Sequence, residues 1–132
     1  MSERPIARAV HVCQYVIVER RTNNVSLIHC FTKFLVDRFP SPPERFVVFA
    51  ALTNGSGTFK ITIRISNPKI EIPAFEQIAR VPFTDRLQEV RFFVRISNCR
   101  FPMPGEYVVE LFVEDEPLAM CTFEVALRGA HS

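Results

Sequence analysis

The sequence predicts an all-β protein, a two-sheet antiparallel β-sandwich of seven or eight strands. Three observations carry this. Apolar and polar residues alternate over several segments, as in Phe59-Lys60-Ile61-Thr62-Ile63-Arg64-Ile65, and a period of two marks a strand because successive side chains point to opposite faces. Proline, glycine, asparagine and aspartate cluster between those segments, where turns belong. No stretch sustains helical periodicity over any length, and no internal repeat is present.

In chain order, residues 1–8 form a loose tail, and residues 9–127 form a single domain. Val10 to Glu19 is apolar on both faces, as a strand buried within a sheet is. Arg20 to Asn24 is a polar turn, and Val25 to Val36 is the returning strand of a first hairpin. Asp37 to Glu44 carries three prolines and is expected to cross between sheets rather than turn tightly. Arg45 to Thr53 and Thr58 to Ser66 flank Asn54-Gly55-Ser56-Gly57, the clearest hairpin signal in the chain. That loop places Phe46, Val48, Ala50 and Leu52 on the core face with Phe59, Ile61, Ile63 and Ile65. Val47, Phe49 and Ala51 then point the other way and need a cover.

Residues 69–84 are less regular. Pro73 and Pro82 restrict any strand there to an edge, and Phe75 to Ala79 is expected to form a short helical turn. In Leu87 to Ser97, Val90, Phe92, Val94 and Ile96 face in, with Arg91, Phe93 and Arg95 facing out. Pro102 to Val125 is a second hairpin. Pro104-Gly105 opens it, Tyr107, Val109, Leu111 and Val113 face in, and Asp115-Glu116-Pro117 breaks the strand. The return, Leu118 to Leu127, turns Cys121, Phe123 and Val125 inward, and residues 128–132 are a C-terminal tail containing His131.

At 132 residues with 48% hydrophobic content, one domain with a substantial core is expected without disulfide staples. A net charge of +2 leaves no nucleic-acid footprint. No segment approaches the roughly 20 apolar residues of a membrane span. The N-terminal residues lack the apolar run of an export signal, and the four cysteines form no C-x-x-C. A cytoplasmic protein with reduced thiols is the expectation.

Three kinds of site bear on function. His11 and Cys13 share a strand face, and His29 and Cys30 follow on the next strand. A metal would need about four converging ligands, and only a hairpin register bringing Cys13 near Cys30 or His29 would assemble part of that set. Buried free cysteine is among the commonest core residues, so packing accounts for them. No nucleophile–base motif or phosphate loop occurs, so no catalytic residue, cofactor or metal is assigned. The outer sheet surfaces are the better lead. Arg91, Phe93 and Arg95 are expected to lie beside Val108, Glu110 and Phe112 on the next strand, with Val47 and Phe49 extending that patch or forming a second one. Arginine and phenylalanine are enriched in binding patches, although cross-strand pairs of this kind also occur as ordinary solvated surface.

Ser26, Leu27, Ile28 and Phe31 form an S-L-I-x-x-F segment, and Phe101, Pro102, Pro104, Gly105 and Tyr107 an F-P-x-P-G-x-Y segment. With the proline-containing link between them, they resemble a family of small uncharacterised bacterial proteins with a predicted β-sandwich, over most of residues 9–127. The P-G-x-Y element also resembles the strand opening of immunoglobulin-like domains, with Val109 where an antibody-type domain has its second disulfide cysteine. The resemblance implies an immunoglobulin-like sandwich and brings no activity.

The function expected is therefore non-enzymatic. The chain is a protein-interaction module or self-associating subunit, with an unknown protein or a second copy in a homodimer as partner, and with neither nucleic acid nor membrane. A small-ligand or glycan-binding sandwich using the 37–44 and 98–104 loops is the alternative. A metal- or thiol-dependent enzyme stands third.

Overall fold

A computed structural model describes residues 3–85, 87 and 89–129. Every regular element among them is a strand: β1 (Ile6–Val18), β2 (Val25–Cys30), β3 (Lys33–Val36), β4 (Glu44–Thr53), β5 (Gly57–Ser66), β6 (Phe75–Phe83), β7 (Val90–Cys99), β8 (Gly105–Val113) and β9 (Glu116–Leu127). They form a four-stranded sheet ordered β2-β1-β4-β7 and a five-stranded sheet ordered β3-β9-β8-β5-β6. Neighbours are antiparallel except β3, which runs parallel to β9. No helix among the described residues is long and apolar enough to cross a membrane.

The core lies where the two inner faces meet. β4 contributes Phe46, Val48, Ala50 and Leu52, facing Ile61, Ile63 and Ile65 of β5 and Tyr107, Val109, Leu111 and Val113 of β8. All are essentially inaccessible, and each large aliphatic side chain so buried stabilises the fold by about 1.5–3 kcal/mol. Phe34, Phe46, Phe101, Tyr107 and Phe123 close one end, with ring centroids 5.0 to 6.1 Å apart in tilted, edge-to-face and stacked contacts.

Tyr107 fixes the entry to β8. Its hydroxyl donates to the Met103 carbonyl at 2.7 Å, four residues upstream. A tyrosine near the start of this strand, hydrogen-bonded back to upstream backbone, is the tyrosine corner of immunoglobulin-type sandwiches. Gly105 beside it has φ +134°, a conformation that only glycine adopts without strain. Val109 is fully buried at the cysteine's place, so packing takes the role of the inter-sheet disulfide.

The β8–β9 hairpin, the β1–β2 hairpin and the inward faces of β4, β5, β7 and β8 match the sequence expectations. Several connections do not. Asn54–Gly57 is not a hairpin. β4 pairs with β1 and β7, while β5 pairs with β8 and β6, so the chain crosses here from one sheet to the other. Gly55 serves close packing instead. A Cβ there would stand 3.0 Å from the Phe83 ring and from Pro5, and Ser56 exchanges backbone hydrogen bonds with Glu3. Two strands stacked across a core show the same alternation as two paired side by side, so the inward residues were legible while their pairing was not.

Val25 to Val36 is not one strand. Phe31 N–H still donates to Val12 of β1, but the next carbonyl, Thr32, accepts from Glu124 of β9. The segment changes sheets within two residues, just after His29 at φ +55°. This division yields nine strands where seven or eight were expected. The expected helical turn at 75–79 is part of β6, an edge strand as the prolines required. Residues 6–8, expected in the tail, already belong to β1. Of the C-terminal tail, residues 130–132, with His131, lie outside the described residues.

Candidate interaction surfaces

The sandwich has two outer faces, and the expected patch is divided between them. β7 belongs to the four-stranded sheet and β8 to the other. Arg91, Phe93 and Arg95 therefore do not lie beside Val108, Glu110 and Phe112 but on the opposite side of the molecule. Alternation placed each set correctly outward, and the error lay in making consecutive strands neighbours.

On the four-stranded sheet, β4 and β7 align Val47 with Arg95, Phe49 with Phe93, and Ala51 with Arg91. Val47 and Phe49 are only 4% and 7% exposed, so they offer little free contact surface. The cover is the protein's own first hairpin. Cys13, Val16 and Val47 form a small second core, against which Val25, Leu27 and Phe93 pack. An Arg91 Nη1 donates to the Asn23 carbonyl at 2.8 Å. In a flat sheet, β2 and β7 would be three strand spacings of about 4.8 Å apart. This bond forms because the hairpin arm, from Gln14 through the 19–24 turn into β2, folds across the outer face of β4. Its own exposed side carries Tyr15 and Ile17. Arg95 remains open, its guanidinium 4.8 Å from the Phe93 ring centroid.

The outer face of the five-stranded sheet has no such cover among the described residues. The register there sets Val108 beside Ser66 and Thr122, Glu110 beside Arg64 and Met120, and Phe112 beside Thr62 and Pro117. Arg64 lies 4.8 Å from the Phe112 ring centroid and donates from Nε to Glu76 at 2.7 Å. Ile78 and Met120 flank this centre at 57% and 61% exposure. Neither was singled out from sequence. Met120 follows from the inward set Cys121, Phe123 and Val125, but Ile78 lies in the stretch where no period is legible.

The loops of the alternative reading also meet. Ser41 N–H donates to the Phe101 carbonyl at 2.9 Å, and Phe101 N–H donates to Ser41 Oγ at 2.8 Å. Near the 37–44 crossing, a depression of about 530 Å³ is lined by Lys33, Glu44, Arg45 and Arg128 among others. It shares Gln14 and Arg45 with a more apolar slot of about 300 Å³ containing Tyr15, Val16, Val47 and Ile96. Burial, reinforced by Asp37 and opposed by Arg128, pushes the Glu44 carboxyl above its usual range. Arg128 is bound to Asp37 at 2.9 Å, whereas Arg45 has no ion-pair partner among the described residues.

Of the sulfur and imidazole groups, no three or more His, Cys, Asp or Glu side chains converge as a metal site among the described residues. Burial, with Glu44 nearby, pushes the Cys99 thiol up to about 12. Cys13 and Cys30 do stand opposite each other on β1 and β2.

Residues 8–126 match the model of a family of unknown function, DUF6941. The chain belongs to this family. The match spans the sandwich from the first strand to the last, as the motifs in β2 and before β8 suggested. No curated protein matches the chain in sequence. Among solved structures, an immunoglobulin-like protein from Pseudomonas aeruginosa aligns at 13% identity and a TM-score of 0.46, over 94% of this chain and 98% of that one. An alkylpurine DNA glycosylase from Pseudomonas fluorescens, bound to DNA containing an abasic site analogue, aligns at 16% identity and 0.45, over 88% of this chain and 30% of its own. A β-glucosidase from Kluyveromyces marxianus aligns at 11% identity and 0.46, over 74% and 15%. At such values these likenesses carry no argument about this chain, and the architecture rests on its own strand order and tyrosine corner.

Proposed function

We propose that this family member is a non-enzymatic binding module of the bacterial cytoplasm that docks a protein on the outer face of its five-stranded sheet, with a second copy of itself as the first partner to test. One observation carries the reading. Phe112, capped by an Arg64 that is itself oriented by Glu76, stands between exposed Ile78 and Met120. Aromatic, arginine and methionine side chains are enriched in interfaces, and an ordered arginine gives up less freedom on binding. The face carries both signs, Arg64 beside Glu110, so a self-complementary twofold contact can bring opposite charges together.

Light scattering and sedimentation across a concentration series test this in the wild type and in the Phe112→Ser and Ile78→Ser variants. A wild-type dimer that both variants convert to monomer is expected. A wild type that stays monomeric, and captures the same proteins as both variants, would remove this face from consideration.

The cleft around Arg45 favours a second reading, a small anionic ligand held beside the 37–44 loop. Its cations outnumber its carboxylates, and Arg45 has no ion-pair partner among the described residues. Titration with inorganic phosphate and with a medium-chain fatty acid, against Arg45→Ala, distinguishes it. Heat of binding lost in the variant supports the site, and no heat with either probe opposes it.

A further inference from the structure

The four cysteines are free, but two of them are direct partners across a strand pair. In the β1–β2 ladder Cys13 pairs with Cys30 and Tyr15 with Ile28. Phe31 N–H donates to the Val12 carbonyl at 3.2 Å, which makes Val12/Phe31 the hydrogen-bonded pair and Cys13/Cys30 the adjacent non-hydrogen-bonded one. In such pairs Cα atoms approach to about 4.5 Å with side chains on a common face. That is the short end of the roughly 4.4–6.8 Å range that a disulfide spans. Regular pairing lapses beside them, because His29 takes φ +55° and Gln14 has no partner in the ladder.

The two thiols differ in access. Cys30 is exposed and opens into a cleft of about 210 Å³ that it shares with His11, Phe31, Thr32 and Cys121. Cys13 is sealed beneath the arm with Val16 and Val47. Burial pushes the Cys13 thiol up, and the neighbouring Cys30 adds to that rise, which agrees with the closeness the register implies. An accessible thiol beside a sheltered one is the arrangement of an oxidisable cysteine with its resolving partner.

We propose that Cys13 and Cys30 are a reversible oxidation site, which a peroxide converts into a cross-strand disulfide at the root of the folded arm. The Cys30 thiolate attacks one peroxide oxygen. The O–O bond breaks, and Cys30 becomes a sulfenic acid as the other oxygen leaves as water. The Cys13 sulfur then attacks the Cys30 sulfur, losing its proton, and the S–O bond breaks with departure of a second water. Two thiols lose two electrons in all, and the peroxide gains them. A dithiol reductant reverses the change by thiol–disulfide exchange. The bond would tether β1 to β2 just where the arm leaves the sheet.

Peroxide treatment of the purified full chain, followed by intact mass and a non-reduced peptide map, tests this. Loss of two hydrogens, one cross-link joining the Cys13 and Cys30 peptides, and recovery with dithiothreitol are expected. In Cys13→Ser, Cys30 should instead stop at a sulfenic acid that dimedone traps, and Cys99→Ser should change nothing. The wild-type map decides even if a Cys13 variant fails to fold. A cross-link from Cys30 to Cys121, a Cys30–Cys30 dimer between chains, or Cys30 overoxidised with Cys13 still a thiol would each overturn the assignment.

Discussion

Replacing Tyr107 by phenylalanine removes one oxygen from a fully buried residue and leaves its volume almost unchanged. The hydroxyl donates to the Met103 carbonyl at 2.7 Å, and the Asn67 side chain hydrogen-bonds to the same hydroxyl. Asn67 is itself buried, with its Oδ1 already accepting from Lys69 N–H at 2.9 Å, so its amide would lose a partner away from water. Met103 is only partly buried, and its carbonyl can turn to solvent. One lost bond plus one poorly compensated amide comes to about 2–3 kcal/mol. The ring contacts with Phe101 and Phe123 persist, so no cavity adds to this. An unfolding entropy near 2.1 cal/mol/K per residue, over 132 residues, converts the loss to a fall of about 7–11 °C in Tm. Calorimetry and urea unfolding measure it, with the urea m-value unchanged. A fall of less than about 2 °C would show that the corner holds nothing, and would remove the strongest physical link to immunoglobulin-type sandwiches.

Two further outcomes follow from the arm and from the loop end. Arg91→Ala deletes the bond to the Asn23 carbonyl; global stability should change by no more than about 1 kcal/mol, while hydrogen exchange at residues 19–25 quickens. Unchanged exchange there would mean that the arm is held by its apolar contacts alone. Glu44 has a folded-state pKa raised above its ordinary value, so the folded protein binds that proton more tightly than the unfolded chain. Its contribution is most favourable below the ordinary carboxyl range and is lost as pH rises through the raised value. Glu44→Gln should therefore gain stability relative to wild type as pH increases from that range towards neutrality, read from denaturation midpoints at successive pH values. A difference that does not vary with pH would refute the assignment.

How much of this was legible varies with the range of the interaction. The inward sets of β4, β5, β7 and β8 follow from alternation, because burial on one face is a local property of a strand. The β8–β9 hairpin follows from local signals too, but its turn is Glu114-Asp115, both at positive φ, and Glu116 and Pro117, expected to break the strand, already belong to β9. Sheet membership is not local. Asn54-Gly55-Ser56-Gly57 has hairpin chemistry, yet both edges of β4 are taken by β1 and β7, and β5 pairs with the distant β8 and with β6, the strand that follows it. The sheet change at Phe31–Thr32 leaves no trace in composition, since Phe31 and Phe34 suit either a continued strand or two halves facing one core. The expected patch is divided between two faces for this reason. Each of its residues faces outward on its own strand, while the neighbours of that strand, and the arm lying over Val47, are set by tertiary packing.

The division of Val25 to Val36 between two sheets also decides where foreign backbone can attach. On that flank the borders are short, six residues in β2 and four in β3, and short borders give an incoming chain few groups to grip. The opposite flank ends in β6 and β7. Pro82 interrupts the donors of β6, whereas Val90–Cys99 contains no proline along its ten residues. Strand addition from a misfolded copy is thereby steered towards β7, where Arg91 and Arg95 set like charges against a second molecule arriving in the same orientation.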